Sequence, residues 1–287
     1  MNDTREERPI AVVGAGAMGS GIAQVAATSG FRVRLSDVSD AVLERALASI
    51  RKSLARLVKA GAVTQAQADV ALLRIVITTD VGEAAGEARA VIEAVPEELP
   101  LKLSIFRALD AAAPRDALLL SNTSELSIAA LASATSRADR VAGMHWFNPP
   151  PLMKLIEIVR ADATSDETVA AVEELSRRMG KETVVCRDAR GFITSRALAA
   201  HVLECFRIAE DGVASPKDID TAIRLGLNYP MGPFELADYV GLDILAAAAR
   251  GLAEAHGARF LPPRLLLDLV EAGRLGRKTG KGFYEYE

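Results

Sequence analysis

The chain has 287 residues, half of them apolar and a quarter charged, which suits one large globular domain or two ordinary ones and excludes a disordered chain. Its net charge of −4 argues against a nucleic-acid surface or a basic membrane patch, and no apolar run approaches the ~20 residues of a membrane span. The two cysteines, Cys186 and Cys205, and the three histidines show no metal-ligand spacing, and the charged start "MNDTREERPI" lacks the apolar stretch of a secretion signal. The expectation is a soluble cytoplasmic protein with no metal.

In chain order, the first strand-like run is "PIAVVG", and it leads directly into "AGAMGSGIAQVAATSG". Gly14, Gly16 and Gly19 form a G-x-G-x-x-G fingerprint at the head of a helix that also begins with Ala17 and Met18. The second run, "RVRLSD", ends in Asp37, eighteen residues after Gly19. Strand, glycine turn, helix and acidic residue together describe a dinucleotide site. The first glycine turns the chain, the second admits a pyrophosphate, and the third packs helix on strand. Asp37 can bond both ribose hydroxyls and repels a 2′-phosphate, which favours NAD over NADP. FAD uses the same fingerprint, but no second flavin motif follows.

Next comes "AVLERALASIRKSLARLVKAG", an amphipathic helix with Leu43, Leu47, Ile50, Leu54 and Leu57 in one stripe. Arg45, Lys52, Arg56 and Lys59 form a basic stripe beside it. Periodicity alone leaves this face as either solvated surface or a clamp for an anionic group.

The runs "RIVITTD", "RAVIEAV", "ALLLSN" and "RVAGMHWF" continue the alternation with helical stretches, giving an α/β fold built on a doubly wound, Rossmann-type sheet. Glu97 and Lys102, in "AVPEELPLK", read as a loop and a first helical turn. In "LLLSNTSELSI", Ser121, Asn122, Thr123 and Ser124 sit at a strand's end, where Ser124 or Thr123 would cap the next helix and the loop would face the nicotinamide. His145 ends the following strand, and Asn148-Pro149-Pro150-Pro151 turns the chain out of regular structure. The next run carries Glu157 between Ile156 and Ile158. That carboxylate either points out from an edge strand or is paired inside. A His–Glu pair would serve acid–base chemistry, whereas a lone histidine is more often structural.

"LMKLIEIV" and "ETVVCRD" add two strands at the far edge. Beyond a boundary near Arg190 the pattern is all-helical, with "SPKD" at 215–218 as a helix start and "GFYEY" as a final strand-like run. Residues 1–190 thus read as the NAD-binding domain and 191–287 as a helical domain.

The motifs "GAGAMGSGIA", "SNTSELSI", "HWFNPPPLMKLIEIV", "YPMGPFELADYVGLD" and "RKTGKGFYEY" resemble the L-3-hydroxyacyl-CoA dehydrogenases over nearly the whole chain, with the short-chain 3-hydroxybutyryl-CoA enzymes nearest. The resemblance implies His145 as the base that takes the 3-hydroxyl proton, Glu157 as its partner and Ser124 as a hydrogen-bond donor to the substrate oxygen. It places Asp37, Glu97, Lys102, Asn122, Asn148 and Lys278 against NAD. Ser53 and Lys59 fall where the family meets coenzyme A, with the Lys59 register open by a residue. It also implies a homodimer through the helical domain. One departure stands out: the family's Gly-Phe-x-x-Asn-Arg reads Gly191-Phe192-Ile193-Thr194-Ser195-Arg196 here, so Ser195 replaces an active-site asparagine. The competing readings are an L-gulonate dehydrogenase or lambda-crystallin relative acting on a free sugar acid, and a non-catalytic NAD-binding protein.

Overall fold

The aliphatic runs of the first unit become one eight-stranded sheet in the computed structural model, which describes residues 8–286. Most of the start read for a secretion signal, residues 1–7, lies outside the described residues. The strands are β1 (Ile10–Val13), β2 (Val33–Ser36), β3 (Ile75–Thr78), β4 (Ala90–Glu93), β5 (Leu118–Ser121), β6 (Val141–Trp146), β7 (Leu155–Arg160) and β8 (Glu182–Arg187). They lie in the order β3-β2-β1-β4-β5-β6-β7-β8. Every neighbouring pair is parallel except β6 and β7.

Strands β1, β4, β5 and β6 are buried along their whole length, as a parallel sheet covered by helices on both faces requires. Helices α1 (Ala17–Thr28), α2 (Asp40–Lys59) and α3 (Gln65–Leu73) supply Ile22, Leu43, Ile50, Leu54 and Ala68 to a core shared with Leu35 and Ile92. Each large side chain buried there contributes about 1.5–3 kcal/mol. Among its described residues the unit also holds α4 (Val81–Ala85), α5 (Leu99–Ala112), α6 (Ile128–Ala132) and α7 (Asp166–Arg178), with a short 3-10 turn at Ala138–Arg140.

The strand order reverses at β1, with β2 on one side and β4 on the other. Ligands of open α/β sheets sit in the crevice that this reversal opens at the carboxyl ends of the strands. Val13, Ser36, Glu93 and Ser121 end their strands at that edge, and His145 lies one residue before the end of β6.

The chain divides into two compact units, Met1–Ala189 and Arg190–Glu287. The second contains α8 (Thr194–Glu210), α9 (Pro216–Gly226), α10 (Pro233–Val240), α11 (Leu242–His256) and α12 (Arg264–Glu271). Phe206, Phe234 and Phe283 pack with ring centroids 4.7–4.9 Å apart at its centre. The helix start at "SPKD" forms as the sequence predicts: the Ser215 hydroxyl accepts the Asp218 N–H at 3.2 Å and Pro216 opens α9. Among the described residues the strand-like "GFYEY" makes one isolated bridge, from Glu285 to Lys281, and no ladder. The buried Asp238 carboxylate accepts the N–H groups of Phe283 and Tyr284 at 2.9 Å, so those donors are not available to a ladder. Among the described residues no helix is long and apolar enough to cross a membrane.

Candidate active site

The glycine loop follows the physical logic of its spacing. Gly14 has φ +99°, and a Cβ there would lie 2.6 Å from the Ala94 carbonyl oxygen. A Cβ on Gly19 would lie 1.7 Å from the Gly14 carbonyl oxygen, so helix and turn can meet only at glycine. Gly16 is the opposite case, with no atom within 4 Å of its Cβ position. That open space at the N-terminus of α1, beside Ala17 and Met18, fits a pyrophosphate, and Gly16 offers no side-chain cap to compete with it. Asp37, just past β2, accepts the Ala15 N–H at 2.8 Å and braces the loop from the side.

The antiparallel β6–β7 pair decides the reading of Glu157. His145 and Glu157 are direct cross-strand partners, and Glu157 Oε2 lies 2.7 Å from His145 Nδ1. Glu157 is fully buried and His145 is 5 % exposed, so the carboxylate is paired inside rather than pointing out. A cis Asn148–Pro149 bond begins the corner between these strands. Lys181 closes the corner from behind, donating to the Pro150 and Met153 carbonyls at 2.7 Å each, and burial pushes its pKa down.

Beside this pair lies the 121–124 loop. Asn122 accepts the Trp146 N–H at 3.0 Å, which ties it to the residue after His145. Ser124 is exposed, and its N–H donates to Glu97 at 2.9 Å. The helix cap falls elsewhere than the sequence predicts. The Thr123 hydroxyl accepts the Glu125 and Leu126 N–H groups to make a turn, and α6 starts only after Ser127, whose hydroxyl accepts from Ala130. Lys102 is 1 % exposed and pairs with Glu93 at 2.6 Å and Glu97 at 3.2 Å. Neither Glu93 nor Lys181 stands out in the sequence. A glutamate ending an aliphatic strand and a lysine after a helix look ordinary until their partners are known.

A cleft of about 290 Å³ opens between α1, α2 and the proline corner, lined among others by Ala17, Gln24, Ser53, Arg56 and Asn148. Ser53 and Asn148 therefore share one space. Lys59 does not line it. At about 100° per residue, Arg56 sits roughly 60° around the helix from Ser53 and Lys59 roughly 120°. Arg56 is thus the basic residue facing the cleft. Gly21 permits the approach of the corner to α1, since a Cβ there would lie 2.7 Å from Pro150.

In the second unit, Ser195 is half-buried in the first turn of α8, and Lys278 donates to both Asp243 oxygens at 2.6 and 2.7 Å. Burial pushes the Cys186 and Cys205 thiols up to about 11, so neither supplies a thiolate at neutral pH. Among the described residues no cluster of metal-ligating side chains occurs.

A phosphate-accepting glycine loop and a buried His–Glu pair at one sheet edge define a nucleotide-dependent dehydrogenase. The family model "3-hydroxyacyl-CoA dehydrogenase, NAD binding domain" matches residues 9–189, and that of the C-terminal domain matches 191–286. The chain belongs to the 3-hydroxyacyl-CoA dehydrogenase family. It is 43% identical over 283 residues to a probable 3-hydroxybutyryl-CoA dehydrogenase of Bacillus subtilis, covering 98% of each chain. To the human mitochondrial hydroxyacyl-coenzyme A dehydrogenase it is 40% identical, covering 97% of this chain and 91% of that one. The crystal structure of (S)-3-hydroxybutyryl-CoA dehydrogenase from Ralstonia eutropha superposes with a TM-score of 0.94 at 42% identity, covering 98% of this chain and 99% of that one. The cofactor of the family is NAD, and the open Gly16 position fits it.

Proposed function

We propose that this chain oxidises the 3-hydroxyl of an (S)-3-hydroxyacyl-CoA, with 3-hydroxybutyryl-CoA the expected substrate, to the 3-oxoacyl thioester. NAD supplies the hydride acceptor for the hydrogen on C3. The observation that carries the reading is the fully buried Glu157 held 2.7 Å from His145 at the ligand edge of the sheet.

His145 takes the hydroxyl proton. Its Nδ1 is committed to Glu157, so Nε2 is the nitrogen that exchanges the proton. Glu157 fixes the ring and stabilises the imidazolium that forms. Ser124 donates to the substrate oxygen. The loop Gly14–Gly19, Asp37, Glu97, Lys102, Asn122 and Asn148 hold the dinucleotide, and Asp37 disfavours a 2′-phosphate. Ser53 and Arg56 receive the anionic coenzyme, with Arg56 taking the part the resemblance gives to Lys59. The resemblance gives Ser195 a part in the reaction and Lys278 a contact with NAD; both lie in the second unit. The first unit is then the NAD-binding domain and the second the substrate and dimerisation domain of a cytoplasmic homodimer. Leu225, Leu227, Ile244 and Leu261 of the second unit are exposed and give apolar area that a partner could cover.

The test is NADH disappearance with acetoacetyl-CoA, beside free acetoacetate and NADPH. Turnover with thioester and NADH alone is expected. Turnover of L-gulonate with NAD, and none of the thioester, would replace the reading by the sugar-acid one; NADH binding with no turnover of either would leave a non-catalytic protein.

A further inference from the structure

We propose that Glu93 is a positioning residue whose carboxylate closes a ring of hydrogen bonds, buried at Glu93, Lys102, Ser121 and Thr123, that fixes Asn122 and Ser124 at the catalytic edge. The proposal rests on the part given above to Ser124.

Glu93 ends β4 and is fully buried. Its Oε1 accepts from Lys102 Nζ at 2.6 Å and from the Val95 N–H at 2.7 Å, and its Oε2 accepts the Ser121 hydroxyl at 2.6 Å. Two arms leave this one carboxylate and meet at Thr123. Along the first, Ser121 Oγ accepts the Thr123 N–H at 3.2 Å. Along the second, Lys102 pairs with Glu97 at 3.2 Å, and Glu97 accepts the Thr123 hydroxyl and, at 2.9 Å, the Ser124 N–H. Each hydroxyl has one proton, and both are spent toward a carboxylate, so the roles are fixed: Lys102 and Thr123 each donate to both their ring neighbours and the two carboxylates only accept. Asn122 is held inside it, because its N–H donates to the Glu93 carbonyl at 2.8 Å while its side chain accepts from Trp146.

A buried ion pair is a poor device for stability alone, since desolvation offsets most of its attraction and apolar replacements are often as stable. What it supplies is geometry: charge-assisted bonds are short and directional. The ring holds the substrate-facing serine to β4 and β5, and Asn122 ties the same loop to β6, the strand bearing His145.

The experiment is a double-mutant cycle of Glu93→Gln and Ser124→Ala, with kcat read from NADH and acetoacetyl-CoA and amide exchange read at residues 123–124. Glu93→Gln is expected to lower kcat by roughly tenfold or more, with the KM for NADH changed less than about threefold. In the Ser124→Ala background it lowers kcat by no more than about twofold, because coupled residues are not additive. Exchange at Thr123 and Ser124 rises by about tenfold. Equal losses in both backgrounds would mark a general structural effect and overturn the proposal, as would unchanged exchange. Should Ser124→Ala itself leave kcat untouched, the part given to Ser124 fails, and exchange alone then decides whether Glu93 holds the loop. Glu97→Gln breaks the ring from its half-exposed side and gives the same rise in exchange if Glu93→Gln does not fold.

Discussion

Replacing Glu157 by Gln keeps the size and one acceptor of the side chain but removes the charge facing His145. The two groups are cross-strand partners with Nδ1 and Oε2 2.7 Å apart, which puts their charge centres roughly 4 Å apart. At an effective dielectric constant of about 20, that attraction is ~4 kcal/mol. It acts only once the imidazole has taken the substrate proton, so its loss falls on the transition state. At about 1.4 kcal/mol per tenfold, the upper limit is a 10³-fold fall in kcat, and partial compensation by the retained hydrogen bond brings the expectation to about 10²–10³. A neutral isostere buries no unpaired charge, so thermal stability should hold or rise slightly. The assay is kcat for (S)-3-hydroxybutyryl-CoA oxidation by NAD, the direction in which His145 takes the proton, with NADH affinity and a melting curve as controls. A folded variant that binds NADH and keeps kcat within threefold of the parent would refute the His–Glu mechanism.

Arg56→Ala should raise the KM for acetoacetyl-CoA about tenfold, the equivalent of ~1.4 kcal/mol, with kcat little changed, while Lys59→Ala leaves both near the parent values; equal effects of the two would remove the helical-phase argument. Ser195→Ala should alter the KM or kcat for the thioester, and a variant unchanged in both would leave Ser195 without a part in the reaction. Burial by itself would raise the pKa of Asp110, but hydrogen bonds from Ser136 and Arg137 and the Arg137 charge outweigh it and hold the carboxyl below its ordinary 3.8. A depressed folded-state value means that the stabilisation is complete above the unfolded value and is lost as pH falls through the folded one. Urea melts at pH 7, 4 and 3 should therefore show Asp110→Asn less stable at pH 7, by about 1–3 kcal/mol, with a shallower acid loss than the parent. Identical acid slopes would show that this carboxylate carries none of the pH dependence.

The sequence by itself determined what depends on neighbours a few residues away. The glycine spacing set the turn, since Gly14 and Gly19 meet backbone that a Cβ would strike. Aliphatic runs set the strands, "SPKD" set a helix start, and the period of α2 set its buried stripe. Tertiary structure decided what depends on register and phase. Whether Glu157 faced solvent or His145 was open until β7 paired antiparallel to β6, because a shift of one residue turns every side chain to the opposite face. Which cation faced the cleft was a matter of helical angle, and it selected Arg56 over Lys59. The true cap, Ser127, depended on a turn made by Thr123. Glu93, Lys102 and Glu97 look like unremarkable charges along the chain. They become one ring, buried at Glu93 and Lys102, only when β4, α5 and the loop after β5 converge, because burial and pairing are properties of distance in space, which local sequence pattern does not encode.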